Sequence, residues 1–185
     1  VPQGAGVVNL HLSYIVNTPN PLLVADAPYQ ALYGLLAKLF EHFGIRTNTQ
    51  TVQGSFCDGR YNLAAAGRKI AGTAQHWQRD QSTPNRYRVL SHAVILAADP
   101  AMLTERANRF EQALGSATHY RADKTTSLLE LAGAGGAATQ AALQTIIKPH
   151  QTINSLGNRY FARQARLKKY RRRLKRHRRP LCAMH

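Results

Sequence analysis

The stretch GSFCDGRYNLAAAGRKIAGTAQHW, residues 54–77, decides how the middle of this chain folds. It contains two dipeptides that favour tight turns, Asp58-Gly59 and Ala66-Gly67, with short apolar segments between and beyond them. We therefore predict strand, turn, strand, turn, strand over residues 51–75. Consecutive strands joined by tight turns pair antiparallel.

Upstream of this stretch, the sequence predicts one strand and one helix. Residues 7–16 alternate between apolar and polar side chains, as a half-buried strand does. Asp26 is a candidate helix cap, Pro28 suits a first helical turn and Gly44 suits a left-handed exit. The helix between them carries an apolar stripe that should pack on a sheet: Leu32, Leu35, Leu36, Leu39, Phe40 and Phe43.

Downstream, residues 86–98 form another predicted strand. Asp99-Pro100 should open a helix that runs to about Leu114, and a last helix should cover residues 137–147. Helices mixed with hairpin-connected strands indicate the α+β class, with a mixed, largely antiparallel sheet flanked by helices.

The positive charge is concentrated at one end of the chain. The net charge is +16, and 12 of the 25 Lys and Arg lie in a basic run that begins at Arg159 and ends at Arg179 and contains no acid. The other 13 Lys and Arg lie in residues 1–158 together with all 9 Asp and Glu, so this part of the chain is only mildly basic. The basic run could contact a polyanion, dock on an acidic protein or stay solvated.

The remaining composition excludes several classes of protein. Two cysteines, Cys57 and Cys182, make no disulfide framework and lack zinc-ligand spacing, so we expect no metal site. No apolar run reaches the roughly 18 residues that a membrane helix needs, and no signal peptide is evident. We predict a cytoplasmic protein without a membrane span. Dinucleotide-binding, P-loop and α/β-hydrolase motifs are not found in the sequence.

Lys69 and Cys57 are the candidate catalytic or binding residues of the central stretch. On a regular strand, Lys69 and Ala71 would share a face, and Gly67 and Gly72 would leave room for a ligand beside the lysine. On the pattern alone, the ordinary interpretation is a solvent-facing lysine, because lysine side chains are mostly exposed. Cys57 becomes a nucleophile as a thiolate, which nearby cations stabilise, although a lone cysteine is usually a small buried hydrophobe.

Two segments of this stretch, GSFCDGRYNL and GRKIAGTAQ, resemble the signature of the lipoate–protein ligase and octanoyl(lipoyl)transferase family. That family shares its catalytic domain with biotin–protein ligases. HAVILAADPAML (residues 92–103) and SLLEL (residues 127–131) are similar to later family segments. The resemblance implies a class II synthetase-like biotin/lipoate ligase catalytic domain over residues 1–157, N-terminally incomplete, followed by a basic tail over residues 158–185.

The resemblance also implies roles for individual residues. Lys69 would contact the oxygens of the activated acyl group, and Cys57 would be either a thioester carrier or a bystander. The other substrate-binding residues would be the segment before the first strand and the glycine-flanked strand: Gly4, Ala5, Gly6, Val7, Gly67, Gly72, Thr73 and Ala74. Within the cysteine motif, Asn62 stands where a closely similar subgroup has Asp.

The implied function is attachment of a lipoyl or octanoyl group to a lysine of a lipoyl-domain protein. A ligase would use ATP and Mg²⁺ with lipoate or octanoate, whereas a transferase would need no cofactor and would pass the acyl group through Cys57. The alternative is a non-catalytic truncated paralogue that binds an acidic protein or nucleic acid through the basic run.

Overall fold

The computed structural model describes residues 3–147, and the structural statements below refer to that part of the chain. The basic run, Cys182 and the predicted tail over residues 158–185 lie outside the described residues.

Five strands form one sheet in the order β1-β5-β4-β3-β2, and every pair of neighbours is antiparallel. The two long pairings, β1 with β5 and β5 with β4, make up most of the sheet. This confirms the predicted α+β class. The strands are β1 (Val7–Asn17), β2 (Asn48–Thr49), β3 (Leu63–Ala65), β4 (Arg68–Arg79) and β5 (Arg86–Leu96).

Four α-helices accompany the sheet in the described residues: α1 (Asp26–His42), α2 (Pro100–Ala113), α3 (Leu128–Ala132) and α4 (Gly136–Ile147). The apolar stripe of α1 packs with α4 and with alternate residues of the sheet into the main core. The largest fully buried side chains of this core are Leu32, Leu36, Leu39, Phe40, Leu63, Ile70, Ile95 and Leu128.

The structure confirms two of the predicted turn and helix-end residues and corrects a third. Ala66 and Gly67 have φ of 48° and 74°, the paired positive values of a type I′ hairpin turn between β3 and β4. Gly44 has φ of 71°, as predicted for the exit of α1. The predicted cap of α1 was wrong by one residue: Ala25 occupies the N-cap position, and Asp26 is the first helical residue, with its carboxylate paired to Arg60.

The predicted strand that begins at Thr51 is absent, because residues 51–62 form a loop that satisfies its backbone groups locally. The Ser55 N–H donates to the carbonyl of Val52, and the Asn62 N–H donates to the carbonyl of Gly59. The Asp58 carboxylate in turn accepts the N–H of Val52 at 2.9 Å. We call residues 51–62 the cysteine loop.

A β-bulge interrupts the pairing of β3 with β4. Leu63 lies opposite Ala71, but its neighbour Ala64 lies opposite Lys69, so β4 advances two residues where β3 advances one. Ile70 and Ala71 are consequently both buried in the main core. The expectation that Lys69 and Ala71 share a face was therefore wrong, because the bulge rotates Lys69 to the opposite face of the sheet.

The two faces of the sheet have different coverings. Alternate residues of β1 and β5, such as Leu10 and Ala93, point into the core beneath α1 and α4. On the other face, Leu96 packs with Phe56 of the cysteine loop and with Leu103 of α2. Among residues 3–147, no helix is both long and apolar enough to cross a bilayer.

Candidate functional site

A cavity of about 500 Å³ lies on the sheet face that turns away from α1 and α4. This volume is in the range of small-molecule binding sites. Its walls come from the start of the described chain, β1, the cysteine loop, β4 and β5. The lining residues are Gln3, Asn9, His11, Phe56, Cys57, Asn62, Lys69, Gly72, Thr73, Ala74, His92, Val94 and Leu96.

Strand register brings the floor of this cavity together. His92 lies between His11 on β1 and Ala74 on β4, and directly opposed residues share a face of an antiparallel sheet. Val94 similarly lies between Asn9 and Gly72. Because Gly72 and Ala74 have the smallest side chains, the floor is lowest along β4, next to Lys69.

The Lys69 side chain is almost fully buried, with 2% of its surface exposed. Its Nζ donates to two backbone carbonyls of the cysteine loop, that of Phe56 at 2.6 Å and that of Cys57 at 2.9 Å. Nζ also lies 5.1 Å from the centre of the Phe56 ring. The interpretation of Lys69 as a solvent-facing lysine was therefore wrong.

Burial lowers the pKa of the Lys69 amine to about 8, and Coulombic interactions with Cys57 and Asp58 oppose this shift. A lysine with such a pKa exchanges its proton near physiological pH. It can therefore stabilise a nearby anion when protonated and accept a proton when neutral.

Gly72 makes room for the lysine. A Cβ on Gly72 would lie 3.3 Å from both Cε and Nζ of Lys69, tighter than nine in ten real Cβ contacts. Gly67, in contrast, has open space around it and serves the hairpin turn through its positive φ. Close approach is thus a property of Gly72 but not of Gly67.

Cys57 is exposed, and its side chain lines the cavity. Its backbone has φ of 51°, a left-handed conformation that is costly for a residue with a Cβ. Its carbonyl accepts one hydrogen bond from Lys69 and a second, at 2.9 Å, from the Nδ2 of Asn62. The structure therefore brings Cys57 and Lys69, both singled out from the sequence, into one site.

Other predicted substrate-binding residues divide into two groups. Gly72, Thr73 and Ala74 line the cavity, but the segment Gly4, Ala5, Gly6 and Val7 does not. That segment extends the sheet instead: the carbonyl of Gly6 accepts the N–H groups of Ala97 and Ala98, and Val7 pairs with Leu96. Gln3, just before it, contributes to the wall.

Two histidines of the cavity floor were not assigned a role from the sequence. His11 and His92 stack with their ring centres 5.6 Å apart. Burial, together with the neighbouring charge of His11, lowers the pKa of His92. His11 belongs to the polar side of the alternating pattern of β1, but its pairing with His92 depends on register, which the sequence does not reveal. His76, further along β4, is exposed and lies outside the cavity.

The chemistry available here comes from a thiol, an amine, imidazoles and amides. Residues 3–147 contain no group of three or more His, Cys, Asp or Glu that could hold a metal ion. An exposed thiol and a buried amine that line the same partly apolar cavity are suited to forming and breaking an acyl bond.

Comparison with known proteins finds relatives that share much of this sequence. An uncharacterised protein from Cupriavidus necator is 45% identical over 148 residues, which cover 75% of this chain and 58% of that protein. The octanoyl-[GcvH]:protein N-octanoyltransferase of Kyrpidia tusciae is 36% identical over 141 residues, which cover 74% of this chain and 48% of the enzyme. The chain thus spans about half the length of these relatives. No protein-family model matches it.

Solved structures support the same fold. A candidate lipoate protein ligase from T. acidophilum, in its complex with lipoic acid, superposes with a TM-score of 0.55 at 12% sequence identity. The match covers 78% of this chain and 51% of that one. The solved structures give the fold, and the octanoyltransferase relatives, with the motifs around Cys57 and Lys69, support the lipoate–protein ligase and octanoyltransferase family.

Proposed function

We propose that this chain carries the catalytic site of an acyltransferase that moves an octanoyl or lipoyl group onto a lysine of a lipoyl-domain protein through a thioester on Cys57. The observation that carries the proposal is the cavity that Cys57 and Lys69 share, with the lysine amine donating to the carbonyl of Cys57. The proposed catalytic domain is residues 1–157, and the cavity described above is lined by residues of its described part.

The cavity suits a medium-length acyl chain. Phe56, Val94 and Leu96 provide apolar walls, and Gly72 and Ala74 leave space over β4. An eight-carbon chain laid over these residues would place its carboxyl end near Cys57 and Lys69, where a buried cation stabilises developing negative charge.

The names of the relatives support a proposal for the class of donor. Since octanoyl-[GcvH] is the donor in the name of the K. tusciae enzyme, we propose an octanoyl-lysine amide of GcvH as the donor here. A second lipoyl-domain protein would be the acceptor, and the basic run from Arg159 to Arg179 would provide a contact for acidic protein surfaces.

The proposed reaction balances without a co-reactant. The Cys57 sulfur attacks the carbonyl carbon of the donor amide, a C–S bond forms, the C–N bond breaks, and the thiol proton passes through the Lys69 amine to the leaving lysine nitrogen. The acceptor lysine nitrogen then attacks the thioester carbon and gives up a proton, which returns to the departing sulfur of Cys57. Division into two steps replaces one difficult transfer by two easier ones.

The ligase route is the alternative within the family. It would adenylate lipoate or octanoate with ATP and Mg²⁺, with Lys69 against the acyl phosphate oxygens and no role for a thiol. The exposed thiol of Cys57 in the cavity lining and the octanoyltransferase relatives favour the transferase.

Intact-mass measurement after incubation with octanoyl-GcvH tests the proposal. We expect one added octanoyl group that hydroxylamine removes, no adduct on Cys57→Ala, and passage of the group from the wild-type adduct to a second lipoyl-domain protein. Full transfer by Cys57→Ala would eliminate the thioester. Pyrophosphate exchange that depends on ATP and octanoate would support the ligase route instead.

A further inference from the structure

We propose that Asn62 is a positioning residue for this site: it holds the backbone of Cys57 and keeps a neutral amide, instead of a carboxylate, beside the Lys69 amine. The inference rests on the proposed function, because it assigns Asn62 to preparing the thiol and the amine for acyl transfer. Asn62 is also the position at which the sequence departs from the cysteine motif of the similar subgroup.

The contacts of Asn62 place its amide within the site. It is 2% exposed, and its Nδ2 donates to the Cys57 carbonyl at 2.9 Å. Its own backbone is held on both sides, because its N–H donates to Gly59 and its carbonyl accepts the N–H of Gln50. These two hydrogen bonds fix the Asn62 backbone at the end of the cysteine loop next to β3, and they thereby fix the origin of its side chain.

The first role follows from the conformation of Cys57. A non-glycine residue at φ of 51° is strained, and such strain persists where surrounding contacts hold it. Two donors converge on the Cys57 carbonyl, Nδ2 of Asn62 and Nζ of Lys69, each at 2.9 Å. Removal of the Asn62 donor leaves Lys69 alone to hold that peptide group.

The second role is electrostatic. The Asn62 Oδ1 and the Lys69 Nζ both lie within 4 Å of the point that a Cβ on Gly72 would occupy. A carboxylate at position 62 would therefore lie near the buried amine and favour its charged form in low dielectric. It would also present an acceptor to the Cys57 carbonyl in place of a donor.

The other titratable groups around the amine are few. The Cys57 thiol and the Asp58 carboxylate oppose the lowering of the Lys69 pKa, and the Asp58 carboxylate is engaged with the Val52 N–H. His11 and His92 line the same cavity on β1 and β5. An amide at position 62 adds no charge to this set, so the amine can lose its proton near pH 8 and accept that of the thiol.

The test compares Asn62→Asp, Asn62→Ala and the surface control Asn48→Asp, which adds the same charge at an exposed position of β2. Two measurements are made on the whole chain: NMR titration of the Lys69 side chain, assigned with Lys69→Arg, and the rate of Cys57 alkylation by iodoacetamide against pH. Neither requires an acyl donor.

We expect Asn62→Asp to raise the midpoint of the Lys69 titration by at least one pH unit. The pH dependence of Cys57 alkylation should shift to higher pH by the same amount. Asn62→Ala should slow alkylation at least fivefold with a shift below half a unit, and Asn48→Asp should match the wild type. If Asn62→Asp folds with an unmoved midpoint, or if Asn62→Ala alkylates at the wild-type rate, the role of Asn62 is refuted. Circular dichroism establishes folding, and Asn62→Ala decides the question if Asn62→Asp does not fold.

The outcome is separable from that of the proposed function. If no acyl adduct forms on Cys57 but the Lys69 midpoint shifts as expected, the thioester route fails and the electrostatic role of Asn62 stands. If the adduct forms and the midpoint of the Lys69 titration does not shift, the thioester route stands and the electrostatic role of Asn62 fails.

Discussion

The Nζ of Lys69 lies 3.3 Å from the point where a Cβ on Gly72 would be, so the lysine occupies the space that the glycine leaves open. The β-bulge at Ile70 and Ala71 creates this relationship, because it turns Lys69 onto the same face as Gly72. A lysine can thus lie along the floor of the cavity with its amine below the cysteine loop.

Substitution of Gly72 by Ala should displace the lysine. The methyl group would meet Cε and Nζ, the far end of a flexible side chain, so the fold should tolerate it while the amine shifts away from the Cys57 carbonyl. We expect at least a tenfold loss of acyl transfer, about 1.4 kcal/mol in activation free energy. Single-turnover transfer assays measure this.

Gly34→Ala is the matched control. Gly34 is exposed on α1, and a Cβ there would have no heavy atom within 4 Å beyond its own helix backbone and chain neighbours. Alanine at this position should therefore leave transfer unchanged and stabilise the helix by about 0.5–1 kcal/mol. Equal transfer rates for both variants would show that the amine's position above Gly72 is unimportant.

The buried amine should make stability depend on pH. The pKa of Lys69 is about 8 in the folded chain against 10.5 for an unperturbed lysine. Both states hold the proton below pH 8, but between pH 8 and 10.5 the unfolded chain holds more protons, so this group makes the free energy of unfolding rise with pH. The rise across the whole window is about 3 kcal/mol.

Urea denaturation of wild type and Lys69→Met at several pH values measures how the free energy of unfolding changes with pH. The difference in free energy of unfolding between the two proteins should change in favour of the wild type as the pH rises through that window. A difference that stays constant from neutral pH to about pH 10 would contradict the depressed pKa.

The left-handed backbone of Cys57 predicts the relative stability of two variants that lack the thiol. At φ of 51°, glycine has no Cβ penalty, whereas alanine keeps it. Cys57→Gly should therefore be more stable than Cys57→Ala by about 1 kcal/mol in chemical denaturation. The opposite order would mean that the loop relaxes to negative φ once the thiol is removed.

Gly6 should be the glycine that is least tolerant of a side chain. A Cβ there would lie 2.3 Å from the carbonyl oxygen of Ala98, and that backbone is held by hydrogen bonds to Gly6 itself. Gly6→Ala should cost about 2–3 kcal/mol of stability through overpacking. Thermal and urea unfolding measure the loss.

Gly4→Ala provides the comparison for Gly6→Ala. Its Cβ would meet only the guanidinium end of Arg106 at 3.0 Å, which can move aside. We expect a change within about 0.5 kcal/mol. A large loss of stability in Gly4→Ala, or a small one in Gly6→Ala, would contradict the close contact between Gly6 and the Ala98 backbone.

The sequence by itself determined the features that depend on neighbouring residues. Alternation predicted β1, Asp99-Pro100 predicted the start of α2, and Ala66-Gly67 predicted the hairpin turn that the two positive φ values confirm. It also marked Cys57 and Lys69 as candidate functional residues, and the structure places both in the lining of one cavity.

Only the tertiary structure decided the face of Lys69, the irregular course of the cysteine loop and the pairing of His11 with His92. Each depends on register between segments that are distant in the chain or on one extra residue in a strand. A shift by one residue reverses every side chain beyond it, and no local preference specifies that shift. The burial that lowers the pKa of Lys69 likewise arises from packing of the loop over the sheet.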